Sequence, residues 1–428
     1  MGFRTFLLPR TLYTQITLQM SLISIAYIIL IIGGVSDFMT TRTPKIEKTI
    51  YQLTLAIVAF IFTIKYYYGV DIDTYVPHYE ALPNIFELIN GDTSVLTGTR
   101  FEIGYSVFCC ILKTFGLSFW AMTAIVQFFY FYAIHKVLSI IEHKRTFALM
   151  IVVILDSMIN YTAYRQCLSV SAYYLMFISF YNKDYYKGIA YMLISVLFHK
   201  SALFIVALTL IALFFKKQQI KQTTYQVLGV VLLIALFLPL TNITSQIISY
   251  LPFSNSTLTS IKLHLSVGKQ YQIIFLVYFF SLVVIQYFSK FTTNKWSKVC
   301  GIIVLGILII CCLYQYYYLL NRLRPYFTPI LVAYIFTAVQ HHPTQGEKHF
   351  PYRKLIYDVA ALIIILYTIR FTYTLVQHNN ETERIHNYSN IFELVTTDKN
   401  EIRLRQMNLA KLFWDKYFDQ GINNNHIE

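Results

Sequence analysis

In a chain this apolar, few residues are able to do chemistry. Arg165 stands in the run Tyr164 to Ser169, His199 and Lys200 lie between Phe198 and Ala202, and Arg322 and Arg324 fall between Asn321 and Tyr326. Two carboxylates precede them, Asp71 in the run Gly69 to Tyr75 and Glu102 in the run Arg100 to Tyr105. Ionisable groups near membrane depth are costly to insert, which makes them candidates for function. A guanidinium holds phosphate oxygens in a planar fork and stays charged at any relevant pH. A carboxylate or an imidazole takes a proton from an attacking hydroxyl. Cations and carboxylates of this kind suit an anionic, lipid-linked ligand and a general base.

Each residue also has a plainer reading. Arg165 and Arg322 could only snorkel toward headgroups from helix ends. His199 could be a satisfied histidine packed between helices, and Lys200 an interface residue. Asp71 could be a turn residue after Gly69, and Glu102 a charge favoured by a helix N-terminus. Asp156, between Leu155 and Ser157, is unusual at membrane depth and reads better as the structural partner of an arginine than as a catalyst.

The elements that must position these groups are membrane helices. Hydrophobic residues make up 56% of the 428 positions and charged residues 13%, about half the charged share of an ordinary soluble domain. Apolar runs near the ~20-residue length that spans a hydrocarbon core recur throughout. They lie at 16–34, 50–68, 119–138, 146–163, 165–181, 187–199, 201–215, 225–241, 271–289, 298–319, 325–340 and 355–376, with a weaker stretch at 103–117. The spans 187–199 and 201–215 touch at His199-Lys200 and read either as one bent helix or as two short ones. The expected fold is all-α and polytopic, with about 12–13 transmembrane helices. Residues 1–376 form the membrane domain and 377–428 a polar tail with an amphipathic stretch near 402–418. Within the domain, 69–102 is a polar loop with six acids and one base, Arg100.

Orientation follows from lysine and arginine. From 119 onward, one set of connections carries Lys136, Lys144, Arg145, Lys183, Lys187, Lys216, Lys217, Lys221, Lys290, Lys295, Lys298, Lys348, Arg353 and Lys354. The other carries only Arg165, Lys200, Lys262, Lys269, Arg322 and Arg324. The richer set belongs in the cytoplasm, which puts Arg165, His199 and Arg322 on the outer face. Basic residues Arg42, Lys45 and Lys48 put 69–102 outside as well, and 103–117 then starts and ends on one face as a re-entrant or interfacial helix.

The net charge of +14 is spread over these loops, so no nucleic-acid partner is expected. The six cysteines form no C-x-x-C pair and read as small core residues. No cleavable signal peptide is expected, since the first apolar run lacks a small-residue cleavage site and reads as a retained membrane anchor. Tyr316, Tyr317 and Tyr318 read as an interface belt.

The order of the short polar motifs resembles the EpsG family of exopolysaccharide and capsule biosynthesis proteins, grouped with Wzy-type polysaccharide polymerases. The matching pieces are Gly69-x-Asp71 followed by Tyr75 and Tyr79, then Glu102-x-Gly104-Tyr105. Arg165-Gln166-x-Leu168-Ser169, Phe198-His199-x-Ser201-Ala202 and Arg322-x-x-x-Tyr326-Phe327 come next. The resemblance runs from about residue 50 to 340, and departs at the extension before residue 50 and at Lys200 after His199.

The resemblance implies a metal-independent, GT-C-like glycosyltransferase without a cofactor, in the bacterial cytoplasmic membrane with its active face extracytoplasmic. Its substrates would be oligosaccharide repeat units on undecaprenyl diphosphate, with membrane lipid around it and a chain-length regulator protein as a further partner. Asp71, Glu102 and His199 would be its catalytic residues, with the base open among them and a carboxylate preferred. Arg165, Arg322 and Arg324 would hold the diphosphate, and Tyr75, Tyr79, Tyr105 and Gln166 the glycan. A lipid-linked oligosaccharide flippase or a polysaccharide ligase is the alternative. A membrane O-acyltransferase fits less well, since its histidine works near a cytoplasmic acyl donor and His199 maps to the other face.

Overall fold

The computed structural model describes residues 22, 25–37, 43–66, 71–91, 101–156, 163–215, 299, 303, 317–340 and 391–408. Among them the chain is helical and holds no strand. The helices are α1 (Ile25–Asp37), α2 (Pro44–Thr63), α3 (Ile72–Ala81), α4 (Ile85–Ile89), α5 (Ile103–Thr114), α6 (Phe119–Leu138), α7 (Arg145–Leu155), α8 (Tyr164–Tyr181), α9 (Tyr185–Phe198), α10 (Ser201–Phe215) and α11 (Tyr317–Gln340). A 3-10 turn (Ile391–Val395) and α12 (399–408) complete the described chain. The expected spans at 225–241, 271–289 and 355–376 lie outside the described residues, as does nearly all of 298–319.

Helices α2 and α6, of 20 residues each, are long and apolar enough to cross a membrane. Outward faces elsewhere are equally apolar: Ile189, Leu193 and Leu197 on α9 and Leu203, Leu210 and Phe214 on α10 are all exposed. Water would penalise such a surface, whereas lipid would not. These helices and faces are those of a membrane protein.

The chain divides into two compact units. The first comprises Met1–His135, His143–Leu168 and Asp358–Trp414, the second Lys136–Glu142, Ser169–Tyr357 and Asp415–Glu428.

In the first unit, α2 starts at Pro44, where a missing N–H costs nothing and the fixed φ suits a first turn. It packs against α7. Helix α1 also approaches α7 closely: a Cβ at Gly33 would meet the Thr146 methyl at 2.9 Å, and one at Gly34 the Met150 sulfur at 2.9 Å. The approach brings the Asp37 carboxylate to the first turn of α7, where it accepts from the Thr146 N–H at 2.9 Å. That satisfies one of the donors a helix start leaves open.

The segment expected as a loop at 69–102 contains α3 and α4. A capping box starts α4, with Asn84 accepting from the N–H groups of Phe86 and Glu87 while Glu87 accepts from the Asn84 N–H. The Lys113 ammonium, at the end of α5, donates to the carbonyls of Glu80 and Leu82 and closes the end of α3 onto α5. With 12 residues, α5 is ~18 Å long and too short for a hydrocarbon core of ~30 Å. That length fits the re-entrant or interfacial helix expected at 103–117. Within the expected span 146–163, α7 ends at Leu155 with Asp156 as its C-cap, and 157–162 lie outside the described residues.

In the second unit, α8 turns sharply into α9 through Lys183, which takes a left-handed φ of 66°. The Asp184 carboxylate then caps α9 by accepting from the Lys187 N–H. Helix α9 stops at Phe198 because His199 is extended (φ −157°, ψ 127°), and α10 starts two residues later. The two adjacent apolar runs are therefore two short helices. Helix α10 packs against both α9 and α11.

The largest departure from expectation is α11. The run Asn321 to Tyr326 is expected as a connection before a span at 325–340, yet the helix begins at Tyr317 and passes through Pro325 and Pro329. In an α-helix the carbonyl of residue 325 accepts from the N–H of residue 329, and Pro329 has none. The Tyr174 hydroxyl of α8 donates to the Pro325 carbonyl instead.

Candidate functional site

The sequence-selected residues gather in two clusters, one within each unit.

In the first unit, Glu102 is the residue before α5, and its backbone carbonyl accepts from the N–H groups of Tyr105 and Ser106 at 3.1 and 3.2 Å. Its carboxylate does not cap the helix. It accepts from Arg165 Nη1 at 2.5 Å, with side-chain exposures of 9% for Glu102 and 18% for Arg165. Arg165, in the first turn of α8, also donates from Nε to the Tyr75 hydroxyl at 3.2 Å. Its guanidinium lies 4.7 Å from the centre of the Phe101 ring and 5.8 Å from that of Tyr75. The consecutive residues Phe101 and Glu102 thus contact one guanidinium together, the ring near its carbon and the carboxylate at Nη1.

Behind Phe101 sits His78, stacked at 3.9 Å with planes 21° apart, its Nε2 3.1 Å from the Ser106 hydroxyl. Burial, and then the charge of Arg165, push the His78 imidazole down to about 4, so the ring is neutral at physiological pH.

Asp71 precedes α3, and its carbonyl accepts from the N–H groups of Thr74 and Tyr75, both at 3.0 Å. It is half-buried, and its charge acts on the Tyr164 hydroxyl. The tyrosines expected to meet glycan are internal. Tyr105 is fully buried, and Tyr75 packs edge-on against both Tyr105 and Tyr164. Tyr79 donates to the Leu117 carbonyl at 2.7 Å, and burial pushes its phenol up to about 12, so it remains a donor. Gln166 is buried too. These positions let the tyrosines orient Arg165 and the ends of α3 and α5. Lys65, which sequence reasoning passed over, is buried with its ammonium 5.6 Å from the centre of the Tyr164 ring.

In the second unit, Arg322 Nη1 lies 3.2 Å from His199 Nε2. A guanidinium only donates, so Nε2 accepts and the hydrogen of the neutral ring sits on Nδ1. Arg324, two residues on, lies roughly 200° away around α11, on a different face from Arg322. One turn after Arg322, Tyr326 is fully buried with its hydroxyl 2.8 Å from Ser169 Oγ and 3.1 Å from Ser201 Oγ. Ser169 donates to the Ser195 carbonyl at 2.7 Å, and Ser195 donates back to the Ser169 carbonyl at 2.8 Å. A burial of several hydroxyls is tolerable in an apolar medium only when they satisfy one another, and these do.

The contacts give a physical content to motifs that are short when read alone. The pair His199 and Ser201 meets the pair Arg322 and Tyr326, with Ser169 completing the set. Phe101, His78, Ser106, Ser195 and Tyr174 escaped the sequence reading. Ser195 lies one turn before the end of α9, where its carbonyl accepts from the His199 N–H at 3.3 Å.

No curated protein and no solved structure matches the chain. The family model described as the EpsG family matches residues 49–390, which takes in both clusters and most of the sequence: this chain belongs to the EpsG family.

Proposed function

We propose that this chain is a polysaccharide polymerase that joins oligosaccharide repeat units carried on undecaprenyl diphosphate, on the extracytoplasmic face of the cytoplasmic membrane. EpsG-family membership indicates a polysaccharide polymerase role in exopolysaccharide biosynthesis. The observation that carries the finer reading is the clamp on Arg165, a guanidinium fixed by Glu102, Tyr75 and Phe101.

The chemistry is inverting glycosyl transfer of the GT-C type. A hydroxyl oxygen at the non-reducing end of one glycan attacks C1 of another. The new O–C1 bond forms as the C1–O bond to diphosphate breaks, and the hydroxyl proton passes to a base. Negative charge grows on the leaving diphosphate, so a fixed cation there lowers the barrier more than it stabilises the ground state. In the first unit Arg165 is the guanidinium assigned to phosphate oxygens, and in the second unit Arg322 is. Glu102 is committed to orienting Arg165, which leaves Asp71 as the preferred base. His199 accepts from Arg322 and serves as a donor through Nδ1.

The test is a deletion strain examined for lipid-linked glycans. Loss of a polymerase leaves single repeat units that impermeant periodate oxidises in intact cells. Units protected until lysis would mean a flippase, and full-length polymer left on lipid would mean a ligase.

A further inference from the structure

The hydroxyl cluster of the second unit has a direction, which follows from counting hydrogens. Each hydroxyl carries one. Ser195 spends its hydrogen on the Ser169 carbonyl, and Ser169 spends its own on the Ser195 carbonyl. Ser169 Oγ therefore accepts from the Tyr326 hydroxyl at 2.8 Å. Tyr326 has then used its only hydrogen, so the 3.1 Å contact with Ser201 must be Ser201 donating to Tyr326. The chain of bonds runs from Ser201 to Tyr326 to Ser169 to the Ser195 carbonyl. The chain starts at Ser201, half-buried in the first turn of α10, with its hydrogen committed to Tyr326 and its oxygen still able to accept.

Two residues before Ser201 is His199, whose Nε2 accepts from Arg322 and whose Nδ1 is therefore a donor. One helical turn along α11 joins Arg322 to Tyr326, so the cationic fork, the imidazole donor and the serine acceptor belong to one local constellation. A phosphate offers acceptors only, and would use Arg322 without needing an acceptor on the protein. A sugar hydroxyl offers both a donor and an acceptor. The polarity of Ser201 is of use only to a ligand with a hydrogen to give.

We infer that the junction of α9 and α10 with α11 is a subsite for a sugar joined directly to phosphate, in which Arg322 takes a phosphoryl oxygen and Ser201 accepts a hydrogen bond from a hydroxyl of that sugar. The inference rests on the lipid-diphosphate reading above and adds to it which part of the ligand is read here. Tyr326, which touches no ligand, is a positioning residue: it fixes the rotamer and hydrogen of Ser201.

The experiment is binding of two probes to the full chain in lipid nanodiscs, undecaprenyl diphosphate and undecaprenyl-diphospho-N-acetylglucosamine. Wild type should prefer the sugar-bearing probe by about tenfold, and Ser201→Ala should remove most of that preference, the net worth of one hydrogen bond. Binding of the bare diphosphate should not change. Ser201→Thr, which keeps the hydroxyl, should restore the preference, and Tyr326→Phe should lower it with the diphosphate again unaffected. Arg322→Gln should weaken both probes together. If Ser201→Ala weakened both equally, or neither, the subsite would be refuted while the lipid-diphosphate reading stood. If wild type bound neither probe, the parent reading would fail instead.

Discussion

The pairing of Arg165 with Glu102 allows stability and function to be separated by one set of variants. A contacting ion pair attracts by ~4 kcal/mol at an effective dielectric near 20. Removing two charges from water costs several kcal/mol per ion, so the intact pair is worth little net against apolar neighbours of the same size. Removing only one partner is different. Glu102→Gln would leave the Arg165 charge at a side chain that is only 18% exposed, against two aromatic rings. The expected loss is ~3 kcal/mol, the lower end for breaking a buried pair because Arg165 is not fully enclosed. Arg165→Gln should cost a similar amount by stranding the carboxylate. The double variant strands neither charge and should regain about 2 kcal/mol over either single one.

Activity should obey another rule. If Arg165 stabilises a departing diphosphate, its loss costs about 2–4 kcal/mol of barrier by analogy with one oxyanion donor, or roughly a 30- to 1,000-fold fall in rate. No compensating change at Glu102 can restore it. The assay pairs melting of the detergent-purified protein with polymer length and amount on gels from complemented deletion cells. Recovery of both melting temperature and polymer in the double variant would refute a phosphate-binding role and leave only a structural pair. Unchanged melting in both single variants would refute the pairing itself.

Other outcomes rest on the same geometry. Asp71→Asn should abolish polymer while the chain remains folded and binds undecaprenyl diphosphate; normal polymer from that variant would return the base to Glu102 or His199. Arg322→Lys should recover only part of the wild-type rate, since an ammonium lacks the fork that reaches His199 and a phosphate together, and equal rates would contradict the assignment. His78 has a folded value of about 4 against 6.5 when free, so its contribution to stability is complete above pH 6.5 and is lost as pH falls toward 4. His78→Phe should remove on the order of 2 kcal/mol of that acid sensitivity, read as the difference in melting between pH 7 and pH 4.5. Cysteines placed beside Lys216 to Lys221 should resist an impermeant maleimide in intact cells, while those in 242–270 should react; the reverse pattern would invert the topology.

Sequence reasoning picked out single ionisable residues more readily than the elements and contacts that hold them. Arg165, His199 and Arg322 stand out because an ionisable side chain in an apolar run is conspicuous one residue at a time. The partners that orient them are not conspicuous. Glu102 lies 63 residues from Arg165, and Arg322 lies 123 from His199, and no local pattern announces a contact at such separation. The tyrosines stand out for a chemical ability, stacking on sugars, that aromatic rings share with packing on each other; burial distinguishes the two, and it is a property of the folded chain alone. Prolines hid two elements. Pro77 lies inside α3, in a segment that reads as loop, and Pro325 lies inside α11, where it reads as the start of a span.

In α11 a rule of local structure is overridden at a cost that the neighbouring helix offsets. An interior proline removes one helix hydrogen bond and crowds the preceding turn, which costs ~3 kcal/mol or more. A second proline four residues on adds a particular defect, because the carbonyl of Pro325 then faces a residue without an N–H. In an apolar surrounding that carbonyl must find another donor. The Tyr174 hydroxyl supplies it from α8, so a bond that would have been internal to one helix becomes a bond between two. The turn repaired in this way, 325–329, contains Tyr326 and directly follows the turn that carries Arg322. Two hydroxyls on successive turns of α8, those of Ser169 and Tyr174, therefore grip α11 at the adjacent residues Tyr326 and Pro325. The rotation of α11 about its axis is thereby set, and with it the direction in which Arg322 meets His199. The prolines are best understood as the device that makes α11 depend on α8 for its register.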